Sequence, residues 1–253
     1  MQESGTLMFQ PWRKTPWADV HMHNNGNIAA DFMNDVVNPS VLIVKDKLAR
    51  LQNSEDMMDV FLVSDAEILL SSTTTAFCLA LQSIWERQLR KYLSACAKEM
   101  KLSSNVVALA ESHKWPKVLA LFKIIKGVPI DHFEAYQELE LLHYLGNICR
   151  HGNGTTSRNL ETKHPNFWSS EYRMFSDAGS DLLVDGMSGG FSIFLQRLKI
   201  FSDSITSFWE ECVYLYNESI YPKHESLEFK LVVERRLRTE RRLARGLPLW
   251  IKN

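Results

Sequence analysis

The residues of this chain best equipped for chemistry lie between Glu138 and Gly154, in the stretch ELELLHYLGNICRHGNG. At about 100° per residue, a helix through it places Leu141, Leu142, Leu145, Ile148 and Cys149 on one face. Glu140, His143, Asn147, Arg150 and His151 fall on the opposite one. Gly152 and Gly154 end that helix just after His151, because glycine adopts the open or left-handed conformations that stop a helix at little steric cost. His151 therefore falls in the last turn, where the partial negative charge of a helix C-terminus supports an imidazolium, a useful property in a residue that passes protons. Two histidines, an amide and an arginine within nine residues are more hydrogen-bonding chemistry than a solvated stripe usually carries, since Glu, Lys and Gln form helices better. A stripe whose only task is to meet water is the plain alternative.

The elements that must position these residues are helical. Ser40 is a plausible cap for VLIVKDKLARLQ, and Ser54, with Glu55 and Asp56 behind it, opens a second helix through MMDVFLVSDAEILL. A third runs from about Thr75 to Met100, with Phe77, Leu81, Ile84, Trp85, Leu89, Tyr92 and Cys96 at three- and four-residue steps. Its phrase SIWERQLRKYL carries Glu86, Arg87 and Arg90 on the flank, as exposed charges or as support for a site. Pro116 starts a helix that Gly127 closes, and Asp131 caps the helix that ends at His151. A long Gly/Ser/Thr/Asn-rich loop with a short hairpin near Ser180 to Asp185 precedes a long apolar helix from about Gly190 to Glu218. A last helix beyond Pro222 holds Arg235, Arg236, Arg238, Arg241, Arg242 and Arg245 against Glu234 and Glu240, a net positive surface suited to phosphates. The expected organisation is an N-terminal arm over 1–38, pinned by Trp12 and Trp17, a helical domain over 39–220, and a basic helix and tail over 221–253.

Composition bounds the alternatives. With 253 residues, 45% of them hydrophobic and a net charge of −1, the chain can bury a sizeable core, and any nucleic-acid role must rest on local patches. Cys78, Cys96, Cys149 and Cys212 form no C-x-x-C pair and lie inside apolar helical patterns, which predicts buried free thiols in a reducing compartment such as the cytoplasm. His21 and His23 form an H-x-H pair without a further ligand at metal spacing, so neither a metal nor another cofactor is expected. No apolar leader and no run of about eighteen apolar residues stands out, so no membrane span is expected.

A long helix with an apolar-E-R-x-L phrase, a helix ending in N-x-x-x-H-G, a variable loop with a short hairpin and a long closing helix together resemble the HEPN superfamily (higher eukaryotes and prokaryotes nucleotide-binding domains), over roughly Val41 to Glu218. The resemblance implies an all-α, HEPN-like helical bundle. In its catalytic members two protomers pack R-N-x-x-x-H helices into one metal-independent ribonuclease site. Here Asn147 and His151 match the motif, and Gly146 stands at the arginine position, which leaves Arg150 on the same stripe as the available cation. A second string, RNLETKH from Arg158 to His164, has R-N-x-x-x-x-H spacing, lies in the Gly/Ser-rich loop before Pro165 and is read as coincidence.

The resemblance implies a homodimeric endoribonuclease acting on RNA as a toxin or antiphage-defence effector, with an antitoxin or sensor protein as partner. His151, Asn147 and Arg150 would be catalytic and His143, Glu86 and Arg87 supporting. On the last helix, Arg235, Arg238, Arg241 and Arg242 would bind the RNA backbone. A degenerate module that binds RNA, nucleotide or a protein partner without cleaving is the second expectation, and a purely structural all-α dimerisation domain the third.

Overall fold

The structure is a computed structural model that describes residues 12–112, 114–151, 162 and 191–250; for 151 and 191–195 the description covers the backbone alone. The fold is all-α, with no strand among the described residues. The elements are α1 (Pro16–Asp19), α2 (Met22–Asp31), a π-helical segment (Phe32–Val37), α3 (Asn38–Gln52), α4 (Asp59–Glu99), α5 (Ser104–Leu109), α6 (Trp115–Lys126), a 3-10 turn (Ile130–His132), α7 (Tyr136–His151), α8 (Phe191–Glu218) and α9 (Glu225–Ala244). Residues 152–161 and 163–190, which include the expected hairpin and all of the RNLETKH string but Thr162, lie outside the described residues.

Several boundaries differ from the sequence expectation: Ser40 lies inside α3 and Ser54 ahead of α4, and three further differences have a local reason. The cluster Ser71 to Thr75 does not split α4, which runs unbroken for 41 residues. Thr74 explains why: its hydroxyl donates to the carbonyls of Leu70 at 3.2 Å and Ser71 at 3.1 Å, so the helix itself satisfies the group that would otherwise cap a new one. Asp131 sits in the 3-10 turn and α7 starts later, because Phe133 is extended (ψ 144°) and the Glu134 N–H is held by the Glu211 carboxylate at 2.9 Å. The N-terminal region is not an irregular arm from Pro16 onward. It forms α1, α2 and the π-helical segment, with Trp12 buried and Trp17 83% exposed, so only the first tryptophan pins it.

Elsewhere sequence chemistry and structure coincide. Pro116 lies in the first turn of α6, and Gly127 ends that helix in the left-handed region at φ 79°, where only glycine is at ease. Among the described residues one helix, α4, is long and apolar enough to cross a membrane by length and composition. About 33% of its most apolar stretch is buried, and Leu81, Trp85, Leu89 and Leu93 of α4 are buried.

The chain divides into two compact units, one made of Met1–Asn27, Glu86–Gln137 and Thr206–Asn253, the other of Ile28–Trp85 and Glu138–Ile205. The first has an aromatic core. Phe122 meets Phe133 edge-on at 5.6 Å, Phe133 lies 4.9 Å from Phe208, and Tyr92 meets Trp209 edge-on at 5.4 Å. A buried ion pair sits beside it: Lys126 Nζ on α6 reaches Asp19 at 2.7 Å and the Thr15 hydroxyl at 2.6 Å, and lies 5.0 Å from the Trp12 ring centroid. The Tyr92 hydroxyl donates to the same Asp19 oxygen at 2.6 Å. The second unit has an aliphatic core. Val37, Val41, Leu70, Leu81, Leu142 and Phe201 are buried, and the Ser202 hydroxyl donates to the Ala29 carbonyl at 2.9 Å.

Removing the ammonium while keeping side-chain bulk, as in Lys126→Met, leaves Asp19 buried without its cation. This should cost about 3–5 kcal/mol, measured as a lower urea midpoint at unchanged slope. A smaller, pH-dependent contribution comes from His132 in the 3-10 turn. Burial lowers its pKa below the ordinary imidazole value, Arg242 and Lys123 act in the same direction, and Asp131 opposes them. With the folded value depressed, the unfolded chain takes up the proton first as pH falls. The stability is therefore present above about pH 6.5 and is lost below it. In His132→Gln, the drop in Tm between about pH 7 and pH 5 should be smaller than in the parent chain.

Candidate functional site

The site grows from two helices of the second unit. On α4 the core face runs through Cys78, Leu81, Gln82 and Trp85, all buried, so one position of an otherwise apolar row is an amide. A buried amide needs partners. Gln82 finds them on α7: its Oε1 accepts from Arg150 Nη2 at 3.1 Å, and its Nε2 lies 3.5 Å from both the His143 carbonyl and Asn147 Oδ1. Asn147 in turn places Nδ2 3.1 Å from His143 Nε2. With the amide donating, that ring nitrogen accepts and the imidazole proton sits on Nδ1.

Gly146 makes this arrangement possible. A Cβ at that position would lie 2.1 Å from Gln82 Oε1 and 2.4 Å from Gln82 Cδ, so the amide occupies the volume that any other residue would need. The polar stripe of α7 is therefore partly enclosed: His143 and Asn147 are half-buried, and Arg150 is exposed while one of its N–H groups is engaged. Arg150 keeps further N–H donors in a planar fork that suits an oxyanion. His151 closes the helix; its side chain lies outside the described residues.

Gln82 is the site residue that sequence reasoning missed. Two signals pointed to it: a polar residue on the apolar face of α4, and a glycine inside α7 with no turn to explain it. Cys149, on the next turn of α7, is only half-buried, whereas Cys78, Cys96 and Cys212 are buried. The Cys78 thiol is held well above its ordinary pKa by its hydrogen bond to Cys149 and by burial.

The other expected site residues lie in the first unit. Glu86 pairs with Arg90 at 3.7 Å, and Arg87 is exposed. The four α9 arginines expected to bind RNA all have carboxylate partners. Arg238 and Arg242 are buried. Arg242 donates to Glu211 at 2.6 Å and to the His132 carbonyl at 2.7 Å, and stacks over the Trp250 ring at 4.0 Å. Arg238 is held by Glu234 at 2.9 Å, and Arg241 donates to Glu134 at 3.0 Å. Arg235 is bound by both Glu218 and Glu228, which raises its pKa still further, the Glu218 bond contributing most. The cause is the acidic content of the neighbouring segments: carboxylates at 134, 211 and 218 draw these cations inward, and burial without Arg242 beside it would drive Glu211 still further above its ordinary value.

No group of three His, Cys, Asp or Glu residues that could hold a metal ion occurs among the described residues, His21 and His23 included. No family model, no curated protein and no solved structure matches the chain.

The fit between Gly146 and Gln82 can be measured. Gly146→Ala should destabilise the chain by about 1–3 kcal/mol, because the methyl group must displace the amide from Arg150 and Asn147. In Gln82→Ala/Gly146→Ala the penalty for the added methyl should largely vanish, giving a coupling energy above about 1 kcal/mol in a double-mutant cycle.

Proposed function

We propose that the chain is a HEPN-type, metal-independent endoribonuclease that works in the cytoplasm as a toxin or antiphage-defence effector. The observation that carries this reading is the cluster at the end of α7, where Asn147 is bonded to His143 and the exposed Arg150 is anchored through one N–H to Gln82. These residues lie on the stripe that ends at His151. Cleavage would use the RNA's own 2′-hydroxyl. One His151 takes its proton, the 2′-oxygen attacks phosphorus, and a 2′,3′-cyclic phosphate forms as the 5′-oxygen leaves with a proton from a second imidazole. One chain supplies a single His151, so the reaction calls for two copies with their α7 helices paired. Arg150 and Asn147 serve as donors to the phosphate oxygens, where negative charge develops. RNA is the substrate, and an antitoxin or sensor protein would keep the activity in check.

A second reading draws on Gln82. Its side chain occupies the space beside Gly146, the position where the family's cation would begin, which favours a module that binds RNA, nucleotide or a protein partner without cleaving.

Labelled structured RNAs incubated with the full chain, with and without EDTA, test both readings. His151→Ala and Asn147→Ala should each lower the rate by about 10²–10⁴-fold with unchanged circular dichroism, and EDTA should have no effect. Arg150→Ala should slow cleavage while RNA remains bound. Binding without cleavage by the parent chain would establish the second reading, and neither binding nor cleavage across a broad panel would remove both.

A further inference from the structure

α9 is built inside out. Its buried face holds Leu231, Arg238 and Arg242, whereas Phe229, Val232, Val233, Leu237 and Leu243 point outward, Phe229 being 77% and Leu243 62% exposed. At about 100° per residue these five side chains fall in one stripe, with Arg236 and Glu240 at its centre. A helix that buries Arg238 and Arg242 and presents valine, leucine and phenylalanine to the outside has the pattern of an interface.

The two charges at the centre identify the occupant. Arg236 and Glu240 are exposed, and neither has an ion-pair partner among the described residues. They stand four residues apart with the cation on the N-terminal side, the weaker order for pairing within one helix. Two copies of α9 laid antiparallel about a two-fold axis set Arg236 of each against Glu240 of the other. The same register brings Val233 of each copy against Leu243 of its mate. The stripe is thus complementary to itself, as an isologous contact requires.

We infer that the outward stripe of α9 is a self-association surface on which a second copy of this chain docks antiparallel through reciprocal Arg236–Glu240 ion pairs flanked by apolar contacts. A single pair of helices lies at the small end of specific interfaces, so the dimer is a reversible one. The inference does not rest on the ribonuclease reading. It concerns residues remote in sequence from α7, and its outcome is scored without any activity.

Sedimentation velocity on the full chain over a range of micromolar concentrations is the test. The parent chain should move from monomer toward dimer as concentration rises. Arg236→Glu alone and Glu240→Arg alone should each weaken the dimer at least about tenfold by setting like charges opposite each other, and Arg236→Glu/Glu240→Arg should recover most of the loss. Val233→Glu should abolish the association made through α9, leaving any pairing through α7 untouched, with a melting curve to show that the fold is kept; the charge-swap series decides the matter should that variant misfold. A parent chain that stays monomeric throughout overturns the inference, as does a dimer indifferent to all these changes. Single variants that weaken association without rescue by the double swap overturn the antiparallel pairing and point to a different surface as the one that meets α9.

Discussion

An ammonium group shut away from water has to be answered at once, and in the first unit the answer organises everything near it. Lys126 gathers Asp19, Thr15 and the Arg13 carbonyl from the N-terminal segment around one nitrogen, with the rings of Trp12 and Tyr92 beside it. Each of these groups has a second obligation. Asp19 also accepts from Tyr92 and from the Thr15 N–H, and the Thr15 hydroxyl also reaches Cys96 at 3.1 Å. Such a network tolerates only one backbone path for residues 13–19, because any shift leaves a charge or a hydroxyl unpaired in an apolar setting. This explains how a stretch rich in proline and polar residues keeps a single path over residues 13–19.

The same constraint turned α9 around. A carboxylate buried at Glu211 and another at Glu134 demand cations, and the densest source in the chain is the RRLRTERRLAR run. Once Arg238 and Arg242 face inward, the 3.6-residue repeat leaves Phe229, Val233 and Leu243 no choice but the outside. The C-terminal segment joins the arrangement, since the Trp250 indole N–H donates to Glu211 at 2.7 Å and the Pro248 carbonyl accepts from Arg242 at 2.6 Å. Arginine content alone was a poor guide to where positive potential would be displayed, because opposite charges distant in sequence decide which cations remain available.

Helical periodicity carried most of the fold. It located α3, α6, α8 and α9, and the glycine after α6, because those elements depend on patterns within a dozen residues. It failed at Thr74, beside the expected start of a third helix, where the hydroxyl bonds back into its own unbroken helix, and at Phe133, whose extended backbone answers to the distant Glu211. For the site, α7 and its two faces were legible, but the residue that meets the polar face was not. Gln82 lies 61 positions before His143, and no local pattern connects them.

The amide that fills the gap beside Gly146 also constrains the ways this sequence can change. A side chain cannot be introduced at position 146 while Gln82 stands where it does, and shortening Gln82 first removes the bond that holds Arg150. The two positions are therefore tied in their histories. An arginine at 146, wherever it occurs on this scaffold, should be accompanied by a small residue at 82. The order of substitution also matters, since the intermediate with a small residue at both positions would be tolerated and the crowded one would not. Covariation between 82 and 146 would thus be the trace that this contact leaves in a lineage, readable without any assay of what the protein does.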